Sequence, residues 1–152
     1  MPRLKISENA GGPVSIRLPA RIENLPHFIA PVLAVARAQG IDPERGNDLE
    51  LALEESLVNI FHYAYPDKAG FVSVNCRVAD NRLVVLIEDE GAAFSLTGAE
   101  APEFSSDVSE RKIGGLGIHL VRSLMDDVRY RRERDRNLLE LALLIRPGEE
   151  TP

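Results

Sequence analysis

The sequence predicts an α/β (α+β) two-layer sandwich, in which helices cover one face of a mostly antiparallel mixed sheet. Hydrophobic periodicity along the 152 residues gives the order strand, helix, helix, strand, strand, long connection, helix, strand and strand. Adjacent strands that are joined by tight turns should pair antiparallel. The helices then segregate onto one face of the sheet, where each can bury its apolar side.

The first half of the predicted sandwich contains one strand and two helices. Residues 14–18 alternate between apolar and polar side chains, as a strand does. Apolar residues then recur at helical spacing over 22–38. A second helix is predicted over about 43–63, because Asp42 is a suitable N-cap and Pro43 is suited to the first helical turn.

The second half contains two predicted hairpins and a third helix. The strands are expected at 71–78, 83–87, 128–132 and 138–145. Helical spacing returns over 116–125. The pattern is lost over 90–112, a connection far longer than the usual length of about 2 to 6 residues. Loops of that length are usually functional or disordered.

Composition indicates a single domain, 1–152 with a core of about 14–146, since 44% of the residues are apolar. The net charge of −6 argues against direct binding to nucleic acid or to an anionic membrane. Cys76 is the only cysteine, which excludes an internal disulfide and matches a reducing compartment. The first thirty residues contain no apolar leader, so we expect a cytoplasmic protein with a protein or small-molecule partner.

Two polar residues of the second predicted helix, Glu55 and Asn59, are candidates for one ligand site. Side chains four residues apart share a helix face, with Cβ atoms about 5–6 Å apart. A carboxylate can accept a proton from a hydroxyl group, and an amide oxygen suits Mg²⁺ that bridges phosphates. The same spacing is also typical of an ordinary solvated helix face. Asn59, however, lies in an apolar stretch where a poor helix former needs a reason to be present.

A second candidate site, Asp89-Glu90-Gly91 with Phe94 nearby, follows the predicted strand over 83–87. An acidic residue followed by glycine is common in ordinary turns. A buried carboxylate at this point could instead accept a hydrogen bond from the exocyclic amine of adenine. Gly91 would let the backbone approach the base without an intervening side chain.

The third candidate is the glycine cluster Gly114-Gly115-Leu116-Gly117, where the long connection meets the third helix. Glycines expose backbone N–H groups at a helix N-terminus, which is a suitable site for phosphate oxygens. The cluster could equally be a flexible entry to the helix. The Gly-x-x-x-x-Gly-Lys-Ser/Thr pattern does not occur in the sequence, which excludes a P-loop.

Taken together, these three groups resemble the histidine-kinase-like (GHKL, Bergerat-fold) ATPases, whose pattern is an asparagine helix, an Asp-x-Gly box and a Gly-x-Gly box. The anti-sigma-factor serine/threonine kinases of the RsbW and SpoIIAB type are the most similar branch. Their asparagine box resembles 55–59 with the aromatic end 63–65, their second box resembles 89–94, and their third resembles 114–118. The resemblance spans nearly the whole chain.

The resemblance implies roles for individual residues. Glu55 would be the catalytic base, Asn59 the Mg²⁺ ligand and Asp89 the residue that anchors adenine. The residues implied in nucleotide binding are Asn59, Asp89, Gly91, Phe94, Arg111, Lys112, Gly114, Gly115, Leu116 and Gly117.

The long connection would form a lid over ATP at 95–113, with Arg111 or Lys112 near the phosphates. Gly115 and Gly117 would then belong to the phosphate-binding loop. One departure from the family pattern concerns the last predicted strand, which offers no obvious serine or threonine to close the adenine pocket.

The resemblance therefore implies an ATP- and Mg²⁺-dependent serine/threonine protein kinase that acts as an anti-sigma factor in transcription regulation. Its expected partners are an anti-anti-sigma (STAS-type) antagonist, phosphorylated on serine, and a sigma factor. Proteins of this type often dimerise, so a homodimer is a further expectation. The alternative is a non-catalytic ATP-binding switch module that sequesters a protein partner. Glu55 argues against that alternative, because binding alone needs no base.

Overall fold

A computed structural model describes residues 13–65, 69–92 and 116–145. The strands are β1 (Val14–Pro19), β2 (Phe71–Ala79), β3 (Arg82–Asp89), β4 (Asp127–Glu133) and β5 (Arg136–Leu144). The helices are α1 (Leu25–Ala38), α2 (Pro43–Tyr63) and α3 (Leu116–Leu124), with a 3₁₀ turn at Ile22–Asn24. The predicted order of elements is confirmed.

The five strands form one sheet in the order β1-β2-β3-β5-β4. Each of the four pairings between these strands is antiparallel, so the parallel pairing that a mixed sheet would include is not found in the described part. The predicted α/β sandwich is confirmed. One consequence of the order is that β3 and β5, which are distant in sequence, are neighbours, and their register places Asp89 opposite Asn137.

Helix α2 begins at a capping side chain, whereas α1 has no side-chain hydrogen bond at its N-cap. Asp42 is the N-cap of α2, where its side chain accepts a hydrogen bond from the Glu44 backbone N–H (3.2 Å). The segment 22–38, predicted as one helix, is divided into the 3₁₀ turn and α1. Pro26 lies in the first turn of α1, a position where the missing N–H is tolerated. Pro31 lies inside α1 and removes one of its hydrogen bonds.

One face of the sheet packs against the helices and forms the hydrophobic core. A buried row crosses four strands in register through Ile16, Val74, Ile87 and Leu139. The helices contribute Phe28, Leu53 and Leu57, all of which are fully buried. Cys76 belongs to the same core, and burial raises the pKa of its thiol to about 12. The thiol therefore stays protonated and packs as an apolar group.

In the part of the chain that the structure describes, no helix is both long and apolar enough to span a membrane.

Candidate functional site

Glu55 and Asn59 lie on α2 as the sequence predicts. Both side chains are half-buried, and they flank Ser56 and Leu57, which face the core. Neither side chain makes a hydrogen bond or an ion pair within the described residues. A carboxylate and an amide therefore lie at the edge of the core on the same helix.

Asp89 is the last residue of β3, and this residue is only 3% exposed. Its Oδ1 accepts two hydrogen bonds of 2.8 Å, one from the Gly91 backbone N–H and one from Asn137 Nδ2. Burial raises the pKa of Asp89 above its usual range, and the two donors and the nearby Arg132 guanidinium offset only part of that effect. The chain thus retains a buried acid at the end of a central strand.

Asn137 is the residue that connects this acid to the rest of the sheet, and sequence analysis missed it. Its Nδ2 donates to Asp89 Oδ1 and to the Ala92 carbonyl oxygen (3.0 Å). Its Oδ1 accepts hydrogen bonds from the Tyr130 hydroxyl (2.6 Å) and from Arg132 Nη1 (3.1 Å). Both hydrogens and both lone pairs of the amide are therefore used. Asn137 lies on the last strand, β5, which offers no obvious serine or threonine to close the predicted adenine pocket.

A weak signal for Asn137 was present in the sequence. It is a polar residue at the start of a run that is apolar except for Glu140, and it is 4% exposed in the structure. Its importance depends on the β3–β5 register, which local patterns do not reveal.

Arg132 supports the segment that follows β3. Its Nη1 donates to the Gly91 carbonyl oxygen (2.9 Å) as well as to Asn137. The sequence does not predict this role, because Arg132 lies in a hairpin rich in both arginine and acidic residues. Such a composition is typical of a solvated surface.

The end of α2 packs directly on the Asp-x-Gly segment. The Ala92 N–H donates to the Ala64 carbonyl oxygen (3.0 Å), and the Glu90 N–H donates to the Tyr65 hydroxyl oxygen (2.7 Å). A Cβ atom on Gly91 would collide with the Ala64 carbonyl oxygen and Cβ. The close approach of Ala64 therefore requires glycine at this position, and the expected approach of the backbone to a base stays a prediction.

Helix α3 begins with Leu116 and Gly117, and it packs against α2. Arg45, in the first turns of α2, fixes the other end of α3, because its Nη1 donates to the Leu124 carbonyl oxygen (2.9 Å) and its Nη2 to Asp126 (3.1 Å). These contacts hold the C-terminal end of α3 beside the first turns of α2.

The remaining predicted site residues fall outside the part of the chain that the structure describes. They are Phe94, Arg111, Lys112, Gly114 and Gly115.

Comparison with known proteins gives relatives that are named serine-protein kinases. Serine-protein kinase RsbW of Bacillus cereus (strain AH820) is 24% identical over 130 residues, which cover 83% of this chain and 81% of that protein. RsbW of Bacillus thuringiensis (strain Al Hakam) matches with the same identity and coverage. Among solved structures, Acinetobacter baumannii histidine kinase AdeS superposes with a TM-score of 0.47 at 15% identity, over 66% of this chain and 47% of that chain.

The family comparison covers most of the chain. Residues 18–143 match the model of the histidine kinase-like ATPase domain. The match includes α2, α3 and the Asp89 network, which consists of Asp89, Gly91, Arg132 and Asn137. The resemblance drawn from the three sequence boxes is therefore confirmed. This chain belongs to the histidine kinase-like ATPase domain family.

Proposed function

We propose that this chain is a Mg²⁺-ATP-dependent serine/threonine protein kinase of the anti-sigma-factor type. The observation that carries the proposal is the buried carboxylate of Asp89, held by Asn137 at the end of β3 and next to the end of α2. The family match and the RsbW relatives, whose name is that of a serine-protein kinase, support the same activity. In this proposal the chain acts in the cytoplasm as a regulator of transcription.

The residues present fit ATP. Asp89 Oδ1 is occupied by two donors, whereas Oδ2 accepts no hydrogen bond from the described residues. An ionised carboxylate oxygen in that position suits the exocyclic amine of adenine. Backbone N–H groups at the start of α3, where Gly117 lies, would bind phosphate oxygens.

The residues also fit Mg²⁺, which when bound neutralises charge on the phosphates. The amide oxygen of Asn59 is a hard, neutral ligand of the kind that Mg²⁺ accepts. Asn59 is half-buried on the α2 face that also carries Glu55. The pair would therefore bring a metal ligand and a base to the same end of the nucleotide.

The chemical role of the chain would be to position and deprotonate a serine. Glu55 would accept the proton of the serine hydroxyl as that oxygen bonds to the γ-phosphorus and the bond to ADP breaks. Phosphoryl transfer depends mainly on positioning and charge neutralisation, so few residues suffice. We propose a STAS-type antagonist as the serine substrate and a sigma factor as the second protein ligand.

Replacing Glu55 by glutamine is expected to reduce phosphoryl transfer by about 10²- to 10⁴-fold, because it removes a general base without changing side-chain shape. The measurement is a single-turnover reaction with γ-labelled ATP and the STAS-domain proteins of the same genome, followed by identification of phosphoserine. Nucleotide affinity, measured by calorimetry, should change little in this variant.

The matched control is Glu54→Gln, the same substitution one position earlier and about 100° around the helix. It should transfer phosphate at the wild-type rate. Full activity in Glu55→Gln would refute its role as the base. A wild-type protein that binds Mg²⁺-ATP and phosphorylates none of these substrates would instead establish the non-catalytic switch module.

A further inference from the structure

The orientation of the Asn137 amide is determined by its neighbours. Arg132 has only donors to offer, so the amide atom that faces it must be the oxygen. The Ala92 carbonyl has only acceptors, so the atom that faces it must be the nitrogen. Tyr130 completes the arrangement with its hydroxyl group on the oxygen. The amide therefore presents an N–H group, and not an acceptor, to Asp89.

This orientation gives the two oxygens of Asp89 different roles. Oδ1 receives the Asn137 and Gly91 N–H groups at 2.8 Å each. None of the described residues donates a hydrogen bond to Oδ2, which leaves this oxygen as an acceptor. Because Asp89 is only 3% exposed, water could not compensate well for a partner group that also lacks a donor. A purine with an amine at position 6 is complementary to this oxygen. A purine with a carbonyl at that position would place two acceptors against each other.

We propose that Asn137 is a specificity-determining positioning residue, which orients Asp89 so that the site selects 6-aminopurine over 6-oxopurine nucleotides. The inference rests on the proposed function, because it takes the ligand to be a purine nucleotide. Arg132 and Tyr130 act through Asn137, because their hydrogen bonds to its Oδ1 prevent the amide from exchanging its oxygen and nitrogen positions. Asn137 itself need not touch the nucleotide.

The test compares affinities of three nucleotides, measured by calorimetry with Mg²⁺ present. ATP has the 6-amine, purine riboside triphosphate lacks it, and GTP has a 6-carbonyl group. In the wild-type protein, one hydrogen bond to a charged group should favour ATP over purine riboside triphosphate by about 10- to 100-fold. GTP should bind more weakly still, because its carbonyl leaves buried acceptors unpaired.

Asn137→Leu keeps a side chain of similar size. We expect it to bring the ratio of the affinities for ATP and purine riboside triphosphate close to one. A merely structural role would weaken all three nucleotides by the same factor and leave the ratios unchanged. The control is Asn75→Leu on β2, which removes an asparagine from a different strand and should preserve every ratio. If Asn137→Leu does not fold, Arg132→Met serves instead, because it removes the donor that fixes the amide.

The outcomes separate this inference from the proposed kinase activity. Unchanged ratios in a folded Asn137→Leu or Arg132→Met protein would overturn the inference, even if phosphoryl transfer is observed. A reduced ratio in a protein that never transfers phosphate would uphold the inference and refute the kinase. Absence of nucleotide binding by the wild-type protein would overturn both.

Discussion

Asp89→Asn is expected to abolish stabilisation by Mg²⁺-ATP while leaving the ligand-free protein at least as stable as the wild type. The new amide keeps the shape of the side chain and an oxygen for the Gly91 and Asn137 donors, but it replaces Oδ2 with a donor. At about a hundredfold excess over Kd, ATP should stabilise the wild type by roughly 2.7 kcal/mol. That corresponds to several degrees in the midpoint of thermal unfolding.

The same variant should also change the pH dependence of stability without ligand. Burial raises the pKa of Asp89 in the folded protein, so the folded state binds this proton more tightly than the unfolded state does. The contribution of Asp89 to the free energy of unfolding is fully present below its pKa in the unfolded chain, about 3.9. That contribution is lost as the pH rises through the raised pKa of the folded protein. Asp89→Asn has no such group, so its stability should fall less than that of the wild type across this window.

Asp80→Asn is the matched control for both measurements. Asp80 lies in the β2–β3 turn with a φ of 52°, a conformation that asparagine also adopts readily. The control should retain both the ATP-induced stabilisation and the wild-type pH dependence. If ATP still stabilised Asp89→Asn against thermal unfolding, the result would contradict the proposal that Asp89 binds adenine.

Gly91→Ala is expected to destabilise the fold by about 1–3 kcal/mol, the usual cost of overpacking. The new Cβ would meet the carbonyl oxygen and Cβ of Ala64, which are fixed parts of the α2 terminus. Relief of the collision requires separation of the two segments, and that would break the hydrogen bond from Ala92 to Ala64. Denaturant unfolding of the ligand-free protein measures the effect.

Gly46→Ala provides the opposite result in the same experiment. Gly46 lies within α2, and a Cβ there has no neighbouring atom within 4 Å. Because alanine favours a helix over glycine by up to about 1 kcal/mol, this variant should be more stable than the wild type. A Gly91→Ala protein as stable as the wild type would show that the close contact with Ala64 is unimportant.

Local chemistry was enough to predict most of the elements. Asp42 and Pro43 mark the start of α2, and the structure confirms the bounds of that helix and its N-cap hydrogen bond. The alternation over 71–78 likewise predicts β2, in which Val72, Val74 and Cys76 face the core. These features depend on neighbours within a few residues, which is why the sequence reveals them.

The Asp89 network depends on contacts that local patterns do not contain. Asp89 and Asn137 are 48 residues apart and meet only because β5 pairs with β3. Arg132 reaches Gly91 across 41 residues, although its sequence surroundings are those of a solvated hairpin. The missing side chain of Gly91 was predicted to let the backbone approach a base, which stays a prediction. Its close contact with Ala64 could not be predicted, because that contact is also nonlocal.

The central claim, that this fold binds Mg²⁺-ATP through α2 and the end of β3, is tested most directly by calorimetric titration with ATP. We expect one site in the wild type and an affinity that falls when Mg²⁺ is chelated. Asn59→Ala should bind ATP more weakly and should no longer respond to Mg²⁺, because its amide oxygen is the proposed metal ligand. Asn75→Ala should behave as the wild type does. No binding by the wild type at millimolar ATP, or an unchanged Mg²⁺ response in Asn59→Ala, would contradict the account.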